Sequence, residues 1–175
     1  MRLYLLRHAK SDWGEESLRD FDRPLNTRGK SAARLMGRYL QENSLFPNRI
    51  LCSTSQRTRE TLTRILPYQP QEAQIHLLSD IYDQGDLSYT SVIRRHGGRA
   101  QQLMIIGHNP ATEQTAIELA GTGAPKAMAD LRIKYPTGAL AVFDFDIADW
   151  ADLQTRTGHL DRFIKPRDLS SKLDE

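Results

Sequence analysis

Two histidines and two arginines stand where apolar runs of this sequence give out. Arg7-His8 follows Arg2-Leu3-Tyr4-Leu5-Leu6, and His108 follows Leu103-Met104-Ile105-Ile106-Gly107. Arg57 lies in Ser53-Thr54-Ser55-Gln56-Arg57-Thr58, just past Ile50-Leu51-Cys52. Guanidinium groups offer planar forks of donors that match phosphate oxygens. A phosphoryl group carries charge on its nonbridging oxygens throughout transfer, so preorganised cations supply much of its catalysis. A neutral imidazole can attack phosphorus and hold the group covalently, provided that its other nitrogen donates a hydrogen bond. A second, protonated imidazole can clamp the developing charge. The residue types therefore suit phosphoryl transfer, but by themselves they leave open which histidine attacks.

Such a set works only if the chain brings its members together. Three short apolar runs bounded by polar residues read as buried strands, at 2–6, 49–52 and 103–107. In an open parallel sheet the carboxyl ends of the strands form the ligand crevice. Between the strands, Ala32, Leu35, Met36, Tyr39 and Leu40 fall on one helical face, capped at Asn26 or Thr27 and ending near Asn43. A second helix starts from a cap at Ser53 or Ser55 and is limited by Pro67. A strand at 75–78, a short helix over 87–95 closed by Gly97-Gly98, and a helix over 111–120 with Gly121 as C-cap follow. Residues 121–128 read as a loop, 139–145 and 159–164 as late strands. The alternation predicts an α/β fold: a three-layer sandwich with a mostly parallel central sheet, helices on both faces, and a late strand antiparallel at one edge. Residues 1–165 form one domain on this reading, and 166–175 a polar, frayed tail.

Composition narrows the function classes. The 175 residues carry a formal net charge of +2, with basic and acidic residues interleaved, so no clustered nucleic-acid footprint is expected. A single cysteine, Cys52, excludes an internal disulfide and a cysteine cage for a metal. No run approaches the roughly 20 apolar residues of a membrane span, and the first residues do not read as a signal peptide. The expectation is a cytoplasmic protein with neither membrane nor nucleic-acid partner, and with no cofactor or metal.

The ordered motifs Leu6-Arg7-His8-Ala9, Ser53-x-x-x-Arg57-Thr58-x-x-Thr61 and Gly107-His108-Asn109-Pro110 resemble those of the histidine phosphatase superfamily, the phosphoglycerate mutase-like clan. The resemblance runs from residue 2 to about residue 120. Short length, the segment Asp22-Arg23-Pro24-Leu25-Asn26-Thr27-x-Gly29 and the Gly-His-Asn-Pro ending are similar to the small SixA-type phosphohistidine phosphatases. The resemblance implies His8 as nucleophile and Arg7, Arg57 and His108 as ligands of the phosphoryl group, with Arg23 reaching the same pocket. The family's first motif has glycine where this chain has Ala9, which would be strained if that position required a positive φ. For the general acid, Asp80 is preferred to Asp83 or Asp86, because it occupies the place where the family often carries an acidic residue.

Imidazole leaves phosphorus more readily than an alkoxide does, since its ring titrates near neutrality. A modest acid and the short stretch from Pro67 to Gly97, too short for a lid, suit a phosphohistidine on a protein. The alternatives are a small-metabolite phosphatase acting on a sugar phosphate or nucleotide, and a phosphate-binding module without turnover. Cys52 and Arg57 are one residue too close for a tyrosine-phosphatase loop, and Cys52 ends an apolar strand, where a thiol behaves as a small hydrophobe. His76, His96 and His159 lack a comparable setting and read as surface or structural. Asp12, Asp20 and Asp22 read as a solvated loop rather than a magnesium site.

Overall fold

The computed structural model describes residues 1–14, 17–83 and 88–170. Seven strands form one sheet: β1 (Arg2–Arg7), β2 (Arg49–Ser53), β3 (Gln74–Leu78), β4 (Gln102–Gly107), β5 (Ala120–Gly123), β6 (Leu140–Asp144) and β7 (Gly158–Ile164), in the order β3-β2-β4-β1-β6-β7-β5. The pairs β1–β4, β2–β4, β2–β3 and β5–β7 are parallel, whereas β6 runs antiparallel to both β1 and β7. Strand residues point alternately to the two faces, which explains why the central strands are apolar throughout. Leu3, Leu5, Leu51, Leu103, Ile105, Ala141 and Phe143 face one core; Tyr4, Leu6, Ile50, Cys52, Met104, Ile106, Leu140 and Val142 face the other.

Helices cover both. On the second face lie α1 (Thr27–Glu42) with Met36 and Leu40, and α2 (Gln56–Ile65) with Leu62 and Ile65. On the first lie α3 (Thr90–His96) with Val92 and Ile93, α4 (Ala111–Leu119) with Ala116 and Leu119, and α5 (Pro125–Ile133) with Ala127 and Leu131. The helix after β1 thus packs on one face and the helix after the neighbouring β4 on the other. That divergence opens a crevice at the carboxyl ends of β1 and β4. The fold is the expected three-layer α/β sandwich.

Asn26 caps α1, its side-chain oxygen accepting from Gly29 N at 2.8 Å, and Ser55 holds the cap position of α2. Gly29 has a second role. A Cβ there would stand 2.0 Å from the carbonyl oxygen of Lys10, so only glycine lets α1 press against the backbone leaving β1.

Three expectations need correction. Residues 121–128 are not a loop: β5 lies there, and α5 starts at Pro125. The antiparallel strand is not at an edge, because β6 sits between β1 and β7, and the edge strand β5 is parallel to its neighbour. The tail does not begin frayed, since Pro166–Ser170 form α6, which packs against α1 and whose Leu169 lies on the core. The short helix expected over 87–95 starts at Thr90; Asp86 and Leu87 lie outside the described residues.

Candidate active site

Register does the first part of the assembly. Arg7 pairs with Gly107 across the parallel β1–β4 ladder, so the next residues, His8 and His108, leave the sheet side by side. His8 N donates to Gly107 O at 3.0 Å, and the two rings lie 5.2 Å apart, centroid to centroid. Both histidines are buried, His8 to 7% exposure.

The His8 ring is held in one tautomer. Its Nδ1 lies 2.7 Å from Ala9 O, an acceptor only, so Nδ1 carries the proton and Nε2 keeps its lone pair. Burial, with the charges of Arg57, Arg7 and Arg23 acting in the same direction, pulls the His8 pKa from 6.5 down to about 3. The ring is therefore neutral, with a free lone pair on Nε2, across the physiological range. Ala9 N in turn donates to Thr61 Oγ1 at 3.1 Å, which ties the loop after β1 to α2. Ala9 is not among the residues with positive φ, so alanine replaces glycine here without strain.

His108 is fixed from two sides. Its Nε2 lies 2.8 Å from Ser53 Oγ at the end of β2. Its backbone N–H donates to the Tyr89 hydroxyl at 2.8 Å, and that hydroxyl donates back to His108 O at 3.2 Å. Burial, then the neighbouring His8, Arg57 and Arg7 charges, lower its pKa to about 3, against the raising pull of Asp20. As a protonated clamp it needs an anion beside it, and a bound phosphoryl group is one. His108 Nδ1 and Arg7 Nε are buried without a hydrogen-bond partner among the described residues. Buried polar nitrogens are rarely left unpaired, and Arg7 Nε is a donor of a group suited to phosphoryl oxygens.

Arg7 and Arg57 enter from different elements. Arg7 donates through one terminal nitrogen to Tyr135 O at 2.7 Å, on the segment between α5 and β6. Asn109 also reaches Tyr135 O, at 3.3 Å, and donates to Glu113 at 3.0 Å. Arg57 lies in the first turn of α2, is 7% exposed, and donates to the carboxylate of Asp20 at 2.9 Å. Arg23 donates to the other Asp20 oxygen at 2.8 Å, to Ser11 Oγ at 2.7 Å and to Asp12 O at 3.0 Å, beneath the ring of Trp13. Tyr82 completes the rim: its hydroxyl donates to Asp20 at 3.0 Å, and its ring stands edge-on to His108 at 5.6 Å.

The structure thus brings His8, His108, Arg7, Arg57 and Arg23 to one place. Asp80 is not among them. Its carboxylate is 49% exposed and paired with Arg95 at 3.1 Å, while its neighbour Tyr82 turns to the pocket. Asp83 is exposed, and Asp86 lies outside the described residues. The residues that sequence reasoning missed are Asp20, Tyr82, Ser53, Thr61, Tyr89 and Tyr135 as partners of the four chemical groups. Ser53 and Thr61 were within the motif already singled out; the others carry no local signal. Cys52 is buried, and desolvation pushes its thiol up to about 12, so it is an inert core residue.

Residues 3–81 match the family model of the histidine phosphatase superfamily, branch 1. An uncharacterized protein of Mycobacterium tuberculosis is 33% identical over 164 residues, covering 93% of this chain and all of its own. SixA of Agrobacterium tumefaciens superposes with a TM-score of 0.78 at 32% identity, over 94% of this chain and 97% of its own. A protein histidine phosphatase SixA complexed with tungstate shares the fold, with a TM-score of 0.72 at 20% identity, over 97% of this chain and 99% of its own. With these similarities and the ordered Arg-His, Arg-Thr and His-Asn-Pro motifs, this chain belongs to the histidine phosphatase superfamily and is of the SixA type.

Proposed function

We propose that the protein is a metal-independent phosphatase that works through a covalent phosphohistidine on His8, with protein phosphohistidine as its preferred substrate. Membership of the superfamily supports phosphatase activity. The observation that carries the mechanism is the 2.7 Å hydrogen bond from His8 Nδ1 to Ala9 O, which leaves Nε2 unprotonated in a buried ring beside guanidinium groups.

In the first step the Nε2 lone pair forms a bond to phosphorus while the bond to the leaving group breaks, its electron pair departing with that group. Arg7, Arg57 and His108 hold the three nonbridging oxygens, whose charge they stabilise in the transition state better than water does. In the second step water attacks phosphorus, the P–Nε2 bond breaks, and phosphate is released with the ring restored. A substrate imidazole leaves without strong acid assistance, because one protonation of its ring suffices and occurs near neutrality. That suits a pocket in which Asp80 is turned to Arg95 rather than to the reacting group. Hydroxyl leaving groups depart poorly without a proton, so the same pocket favours P–N over unactivated P–O bonds.

The test is a quench with a labelled phosphoryl donor. The expected product is an acid-labile, base-stable phosphoenzyme that is absent in His8→Ala and retained in Cys52→Ser. Label on Cys52, or turnover that requires a divalent cation, overturns the mechanism. Faster hydrolysis of unactivated phosphomonoesters than of phosphohistidine overturns the substrate assignment.

A further inference from the structure

A groove of about 360 Å³ opens beside the active site, and its lining is far more basic than the rest of the molecule. Lys10, Arg28, Lys134, Lys165 and Arg167 surround it, with Asp130 the one carboxylate among the lining residues. The whole chain carries a formal net charge of only +2, so the cluster of basic residues here is a local concentration rather than a reflection of composition. Asp130 offsets Lys165, which it meets at 3.0 Å, and also Lys126, outside the groove, at 3.2 Å, while Arg167 lies 3.7 Å from Asp168. Lys10, Arg28 and Lys134 make no salt bridge with another described residue.

The groove borders the backbone that carries His8. Lys10 is two residues beyond His8, and Thr137, another lining residue, precedes Gly138, whose N–H donates to both Arg7 O and His8 O. A polypeptide bound at His8 would reach this surface with the residues that flank its phosphohistidine. The lining also presents apolar surface, above all Ile133, which is 80% exposed.

We propose that this groove docks an acidic, partly apolar polypeptide segment flanking the phosphohistidine of the substrate protein; this rests on the function proposed above. Dispersed cations on long flexible stems around an apolar wall suit carboxylates spread along a chain. A compact phosphate is better held by buried, preorganised forks such as those of Arg7 and Arg57. Complementary charge beside a catalytic site raises association rate and selects among partners, and it does so in a salt-dependent way.

The experiment uses two fluorescein-labelled synthetic peptides, each with one histidine flanked by leucine and either glutamates or glutamines, read by fluorescence anisotropy. At low ionic strength the glutamate peptide is expected to bind roughly tenfold or more tightly than the glutamine peptide, an advantage lost in high salt. The triple variant Arg28→Glu/Lys134→Glu/Arg167→Glu should lose that preference, and the milder Arg28→Gln/Lys134→Gln should lose part of it. In both variants turnover of free phosphohistidine should be unchanged, which also reports that they fold. With the peptides phosphorylated on histidine, the glutamate flank should lower KM and leave kcat unaltered. Equal binding of the two peptides, a preference that survives the triple variant, or displacement of neither peptide while inorganic pyrophosphate binds in a variant-sensitive way would each overturn the proposal. No turnover of phosphohistidine with the peptide preference intact would strike the proposed function and leave the docking surface standing.

Discussion

The buried histidine pair makes the fold itself sensitive to acid, and His8 allows that to be isolated. Its pKa is 6.5 unperturbed and about 3 in the native site. Between those values the unfolded chain binds the proton and the folded chain does not. Stability therefore falls as pH drops through 6.5, and goes on falling until the native ring itself takes a proton near 3. Carried through from pH 7 to pH 5, one such group removes about 2 kcal/mol of stability. Neither His8 nor His108 is exposed enough for solvent to screen this away, at 7% and 8%. Asp20 and Asp144 also have lowered values, and their contributions are lost at the acid end in every variant. The difference between wild type and His8→Gln removes these shared terms. Urea unfolding at pH 7 and pH 5 should show the wild type losing about 2 kcal/mol more than His8→Gln over that interval. Equal losses in the two proteins would refute the neutral, buried state of His8, and with it the basis for its nucleophilicity.

The other expectations concern the partners of that ring. Arg57→Ala should lower kcat/KM by about a hundredfold to a thousandfold, the usual effect of losing one donor to a developing oxyanion, with secondary structure intact by circular dichroism. Asp20→Asn removes the carboxylate that now rests on Arg57 and Arg23, so inorganic phosphate should inhibit at several-fold lower concentration; weaker inhibition would show that Asp20 positions the arginines rather than competing for them. Gly29→Ala drives a methyl group into the Lys10 carbonyl and should cost about 3 kcal/mol or more in urea unfolding, with loss of activity because Lys10 lies directly after His8-Ala9.

What could be read from the sequence was whatever leaves a local trace. Apolar runs of strand length ended by polar residues gave β1, β2 and β4, and the segments that follow them bring Arg7, His8, Arg57 and His108 to a common edge. The two faces of the sheet follow from residue alternation within those runs. The region 120–133 was not legible for a physical reason. β5 has four residues, two of them glycine, and exists through its pairing with β7 rather than through propensity. Pro125 looked like a loop residue, yet proline in the first turn is also a helix-start signal, and the burial of Ala127 and Leu131 decided between the two. The placement of β6 inside the sheet depends on pairing with β1, which no short window of sequence reveals. In the site, Asp80 was chosen by position along the chain, whereas the residues that complete the pocket, Asp20 and Tyr82, arrive there through tertiary packing of two loops. Arg95, one helix away, decides where Asp80 points.

The Asp20 carboxylate bridging Arg23 and Arg57 has a consequence for discrimination among anions. It is a tethered competitor, present at a local concentration that no dissolved ion reaches. Chloride or acetate arriving at the two guanidinium groups would exchange one negative charge for another and gain nothing for its lost hydration. A phosphoryl dianion brings a second charge and three oxygens, and it reaches Arg7 and His108 as well. If Asp20 competes for the arginines, it would set an entry threshold by valence: monovalent salts would gain nothing by displacing it, and multivalent oxyanions would.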